Sequence, residues 1–134
     1  MNNFQAESKK SGDEFEDIVE EHLNSIGHVM FKNYTVPNTG VEVDFVHIHT
    51  VSNREMVLEL VEAKGGKAGD KKRPGAERTD NVKKAVANGA ILKFVYPNIR
   101  YIVYFSAKPK PGSYADHMLE IALDAGYIDE IKYL

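Results

Sequence analysis

Apolar residues early in the chain recur at helical spacing. Phe15, Ile18, Val19, Leu23 and Ile26 fall on one side of a helix, with Ser11 and Glu14 as its capping box and Gly27 as the glycine that ends it. "VMFKNYTV" then predicts a strand stopped by Pro37, Asn38 and Gly40. "GVEVDFVHIH" predicts a second and "EMVLELVEAK" a third, with "TVSNRE" as the turn between them. The stretch from Gly65 to Gly75 fits neither regular element. Helical spacing returns in "RTDNVKKAVANGAILK" through Val82, Ala85, Val86 and Ile91, capped by Thr79 or Asp80. "NIRYIVYFS" is a β-branched and aromatic strand. A last helix turns Met118, Leu119, Ile121 and Ala122 inward and stops at Gly126, and "YIDEIKYL" follows as a short strand or a turn. The order α-β-β-β-α-β-α predicts one α/β domain over residues 1–134, with 1–10 as a flexible lead and strands two and three paired as an antiparallel hairpin.

The hairpin raises a question of charge. Glu62 and Lys64 stand two apart, on one face of the third strand, where a buried strand should carry apolar residues. Asn53 lies nine residues from both Asp44 and Glu62, so a hairpin closing symmetrically there sets these two acids opposite one another. Their α-carbons would then lie roughly 5 Å apart. The same register pairs Val46 with Leu60 and Ile48 with Leu58, apolar pairs expected to pack beneath the first helix while the acids emerge at its rim. Opposed like charges cost about 0.5–1 kcal/mol in a sheet and raise one pKa. A divalent cation between them would convert repulsion into coordination. The competing reading of any one pair is a simple salt bridge of Lys64 with Glu62 or Asp44.

Composition narrows the class. The hydrophobic content of 43% belongs to a globular domain, and without cysteine the chain has no disulfides, thiolate metal sites or cysteine nucleophiles. No apolar run approaches the roughly 20 residues of a membrane span, and the start lacks the apolar segment of a secretory signal. A cytoplasmic protein is the default expectation. The net charge of −3 conceals an asymmetry: residues 64–84 hold eight cations against three acids, a net +5, against −8 for the rest. Such a patch can attract a polyanion at close range; a solvated, charge-rich loop is the alternative.

Asp44 followed by Glu62-Ala63-Lys64 on the next strand resembles the PD-(D/E)XK nuclease signature, and "GDEFE" (Gly12 to Glu16) with "LNSIGHVMFKN" is similar to the first-helix glutamate region of Holliday-junction resolvases. The resemblance covers roughly residues 11–106. Val43 stands where the motif's naming proline would be. The resemblance implies a restriction-endonuclease-like core of α-β-β-β-α-β order, a mixed central sheet flanked by helices. It also implies a magnesium-dependent endonuclease on DNA, in which manganese substitutes for magnesium. Junction or branched DNA and restriction-like or repair substrates are both open, and RNA is a further possibility.

By that likeness Asp44, Glu62 and the Ala63 carbonyl hold the metal, Glu16 completes its shell directly or through water, and Lys64 orients or deprotonates the attacking water. Lys67, Lys71, Lys72, Arg73, Arg78 and Lys83 would contact DNA phosphates, a contribution that weakens with salt. Gly65 and Gly66 would let the backbone approach the sugar-phosphate chain. Lys83 and Asp80 begin the helix after the site, where related nucleases carry an accessory polar residue. Members that cut symmetrically are dimers, so a homodimer is expected. A nucleic-acid-binding or scaffolding module that keeps the fold without turnover is the alternative function. His22, His28, His47, His49 and His117 show no zinc-site spacing and read as packed or surface residues, and Tyr101 and Tyr104 as sheet packing.

Overall fold

The computed structural model describes residues 3–65 and 75–134. It is an α/β fold. Helix α1 (Asn3–Ile26) precedes strands β1 (His28–Thr35), β2 (Glu42–Thr50) and β3 (Met56–Lys64). Helix α2 (Thr79–Val95), β4 (Arg100–Phe105), α3 (Tyr114–Ala125) and β5 (Glu130–Tyr133) complete it. The five strands form one mixed sheet in chain order: β1, β2 and β3 run antiparallel, then β4 and β5 add in parallel. None of the described helices is long and apolar enough to cross a membrane. The four cations Lys67, Lys71, Lys72 and Arg73, together with Gly66, lie outside the described residues.

The β2–β3 hairpin has the expected register. Its pairs run from Thr50↔Met56 through Val46↔Leu60 to Phe45↔Val61, symmetric about Asn53. A short 3₁₀ turn, Ser52–Arg54, closes it, with the Val51 N–H donating to the Glu55 carbonyl at 2.8 Å. What differs is which face each helix covers. Phe15, Val19 and Leu23 of α1 pack on Phe45, Val61, Ala63, Ile102 and Tyr104. The face bearing Val46 and Leu60 lies instead beneath α2 and α3, through Val82, Ala85, Leu92, Ala115, Leu119 and Ala122. The acids therefore do not emerge at the rim of the α1 layer; Glu62 is covered from the other side and is only 2% exposed. Alternation within β2 and β3 defines two faces but not which helix lands on each. β4, roofed on both sides, is buried from Tyr101 to Phe105, as befits a parallel strand.

Several local expectations need correction. α1 begins at Asn3, so Ser11 lies inside the helix and not at its cap. Ile18, Ile26, Ile91 and Ile121 are exposed, because each sits at the margin of its helix's apolar stripe. The cap position of α2 is Arg78, with Asp80 in the first turn and no side-chain cap bond. Gly27 serves close packing: a Cβ there would lie 2.4 Å from the Ile48 carbonyl oxygen. Gly65 is needed for the same kind of reason, since its Cβ would overlap the Phe15 side chain at 2.3 Å.

α3 ends as expected on Gly126, in the left-handed conformation at φ 76°. Its start is set by Ser113, whose hydroxyl accepts from the Asp116 N–H at 3.2 Å, while the Asp116 carboxylate accepts from the Gly112 N–H at 2.9 Å. Ser113→Ala removes the first of these and is expected to cost about 1 kcal/mol. Urea unfolding should show a lower midpoint with an unchanged slope.

Candidate active site

The β2–β3 ladder reaches Phe45↔Val61 and the strands then part. Just beyond, the Asp44 carboxylate enters the gap and accepts the Ala63 N–H through Oδ2 at 2.7 Å. In an extended strand a residue's N–H and carbonyl point to the same edge, so the Ala63 carbonyl is turned toward Asp44 as well. Glu62, next to it on β3, faces α2. Its Oε1 accepts from Asn88 Nδ2 at 2.7 Å, and its Oε2 stands 3.7 Å from Lys64 Nζ. Glu16 on α1 is in side-chain hydrogen-bonding contact with Asp44.

The electrostatics are those of acids taken out of water. Burial raises the Asp44 pKa, and the Ala63 N–H, Lys64 and Glu16 draw it back only in part. Burial likewise raises that of Glu62 against Lys64 and Asn88, with Asp44 adding a smaller upward push. Tyr101 turns its hydroxyl toward Glu62 from the floor of the site. Its phenol is pushed well above the ordinary value, first by burial and then by the Glu62 charge. The approach is not a well-formed hydrogen bond: Glu62 Oε2 and Tyr101 Oη are both buried without a hydrogen-bond partner among the described residues. A buried carboxylate oxygen without a hydrogen bond costs about 1–3 kcal/mol, which the Lys64 ammonium at 3.7 Å offsets in part. A donor or cation closer to Oε2 than Lys64 would remove the rest of that penalty.

Asp44, Glu62, Lys64 and Glu16 are thus brought together as expected. Of the proposed phosphate contacts, Arg78 is committed elsewhere: its guanidinium grips Asp80 at 3.1 and 2.7 Å. Lys83 is exposed on α2. Five residues from Asn88, it points about 140° around the helix from the side chain that meets Glu62. The α2 side chain that meets Glu62 is Asn88. An amide in the small-residue run "AVANGAI" was the available signal. Tyr101 does pack in the sheet, but its hydroxyl belongs to the site.

A second cluster was not anticipated from the histidine spacing. His47, His49 and Glu59 place ligand atoms within 4.8 Å of one another and could hold a metal ion. Among the described residues it is this group, and not the carboxylates of Glu16, Asp44 and Glu62, that gathers three candidate ligands so closely. The hairpin arithmetic carried the signal, since His47 pairs with Glu59 in the register that sets Val46 against Leu60. Comparison with protein-family models, with curated proteins and with solved structures found no match to this chain.

Proposed function

We propose that the protein is a magnesium-dependent endonuclease that hydrolyses DNA phosphodiester bonds, built on a restriction-endonuclease-like core of the PD-(D/E)XK kind. The observation that carries the reading is the buried Glu62 carboxylate, one oxygen of which lacks a hydrogen bond and lies 3.7 Å from the Lys64 ammonium, close to Asp44. An α-β-β-β-α-β order with an antiparallel hairpin leading into a parallel β4 supports it.

The donor set suits a hard dication: carboxylate oxygens from Asp44 and Glu62 and the Ala63 carbonyl. When bound, magnesium supplies Lewis-acid activation of water and neutralises charge on the phosphoryl group. The remaining work falls to the chain. Asn88 fixes the Glu62 carboxylate through Oε1, leaving Oε2 free to face the ligand. The Ala63 N–H fixes Asp44. Lys64, partly exposed, presents an ammonium to the incoming phosphate, where it stabilises developing negative charge and orients the attacking water. Glu16 approaches Asp44 from α1. Lys83 and the cations of residues 67–73 would bind the DNA backbone without reading its sequence. Branched or junction DNA is the favoured substrate and a homodimer the expected working form.

The alternative is a nuclease-fold module that binds nucleic acid without turnover. It is favoured by one observation: Asp44 Oδ2 and Glu62 Oε1 are already occupied by protein donors. Incubation of plasmid, single-stranded, four-way-junction and RNA substrates with magnesium or manganese separates the two. Cleavage is expected on at least one DNA substrate and is lost in both Asp44→Ala and Lys64→Ala. Binding without cleavage by the wild-type chain supports the alternative, and cleavage surviving both substitutions refutes the assignment.

A further inference from the structure

On the sheet face opposite Asp44 lies a cluster that this reading does not use. We propose that His47, His49 and Glu59 bind a single transition-metal dication of the zinc or cobalt(II) class, at a site separate from the acidic pair.

The first argument is tautomeric. His47 is fully buried, and its Nε2 lies 2.9 Å from the Leu23 carbonyl oxygen. A carbonyl only accepts, so Nε2 carries the hydrogen. In the neutral ring Nδ1 is then a bare lone pair, and it faces Glu59 Oε1 at 3.4 Å. Two acceptors pointed at one another out of water need a cation between them. His49 sends Nε2 to the same carboxylate oxygen at 3.3 Å. Only a proton on the imidazole or a metal ion resolves the contact.

Two of the three ligand separations suit a metal, and all lie within 4.8 Å. Ligands on zinc at about 2.0–2.1 Å in a tetrahedron stand about 3.3–3.4 Å from one another. Both histidine nitrogens keep that separation from Glu59 Oε1. The outer contacts are also those of a metal centre. A ligating histidine donates its other ring N–H to a carbonyl or carboxylate, as His47 does to Leu23. The second oxygen of Glu59 accepts from Arg100 Nε at 3.2 Å, which orients Oε1 toward the histidines. Gly27 lets both histidines pack against the backbone, since a Cβ there would come within 2.7 Å of His47 Nε2 and His49 Cβ.

Two imidazoles and one carboxylate select zinc, cobalt or nickel over magnesium or calcium, which prefer all-oxygen sets. His49, whose side chain is 22% exposed, provides the route of entry and a side for a fourth, water ligand. Through Leu23 the bound ion would tie the end of α1 to β2 and β3.

The test uses the full chain stripped with chelator and titrated with cobalt(II) in excess magnesium. The expected result is one equivalent bound with the intense visible bands of tetrahedral cobalt, bleached by zinc, and a thermal midpoint raised by zinc. His49→Ala, at a partly exposed position, should keep the circular dichroism of the fold and weaken binding at least ten-fold. Asp44→Ala should leave the cobalt spectrum unchanged. No bands in the wild-type protein means that a His–Glu–Arg ion-pair network occupies the site, which overturns the proposal. Bands that persist in His49→Ala, or vanish in Asp44→Ala, overturn it equally by locating the ion elsewhere.

Discussion

On the nuclease proposal, Glu62→Gln is expected to abolish magnesium-dependent cleavage and, at the same time, to stabilise the metal-free protein at neutral pH. Loss of a charged group that meets the reacting centre costs on the order of 10²–10³ in turnover. The stability half follows from the direction of the pKa. Burial raises the folded-state value for Glu62 above that of the unfolded chain, more than Lys64 and Asn88 lower it. The folded protein therefore holds a proton that the unfolded chain has already released. The stability this contributes is fully present below the unfolded pKa and is lost as pH rises through the folded one. Glutamine cannot ionise, and its amide can still accept from Asn88 and donate toward Tyr101. Thermal unfolding from mildly acidic to neutral pH should give a shallower decline for the variant than for the wild type. Magnesium should raise the wild-type curve most at the high-pH end, where the carboxylate is ionised, and leave the variant's curve unmoved. A variant less stable than wild type at neutral pH without metal would mean that the carboxylate is already well compensated by its protein neighbours.

The second large effect lies in α2. Gly89→Ala should gain about 1 kcal/mol from helix propensity alone. Its Cβ, however, would meet the Tyr127 carbonyl oxygen at 2.3 Å and the Tyr101 ring at 3.2 Å. That carbonyl cannot easily retreat. The Tyr127 N–H is held by Ala122 at 2.9 Å, and the Asp129 N–H by the Tyr101 carbonyl at 2.9 Å. Asp129 Oδ2 in turn accepts from the Tyr101 N–H at 2.7 Å and from Lys93. Overpacking of this kind costs about 1–3 kcal/mol or more, so the clash wins over propensity. A fall in thermal midpoint of roughly 5–10 °C is expected. Because Asn88 is the neighbouring residue, any shift of α2 that relieves the overlap draws its amide from Glu62, and cleavage should fall with stability. A midpoint that stays level or rises would show that helix and turn can separate freely.

How far the chain could be read in advance varies from element to element. The hairpin was legible because its register depends on local arithmetic: a turn centred on Asn53 commits every pair from Thr50↔Met56 to Phe45↔Val61. Asp44 and Glu62 fall one step beyond the last pair formed, where the strands part. The same register held His47 against Glu59, but two histidines alternating on a strand look like packing until a partner strand brings the carboxylate. Asn88 and Tyr101 could not be assigned from their own segments, since nothing near either residue in sequence says that it will face Glu62.

The sequence by itself therefore determined the element order, the hairpin register and the acids at its end, because turn chemistry and side-chain alternation act between near neighbours. Tertiary structure alone decided that α1 would cover Phe45 and Val61 while α2 and α3 covered Val46 and Leu60. That choice depends on how distant apolar surfaces fit, with glycines at 27, 65 and 89 admitting contacts that any side chain would block. It also decided that Glu62 would be buried with one oxygen unsatisfied. Desolvation is a property of what closes over a group, and the segment that closes over Glu62 is a helix from elsewhere in the chain.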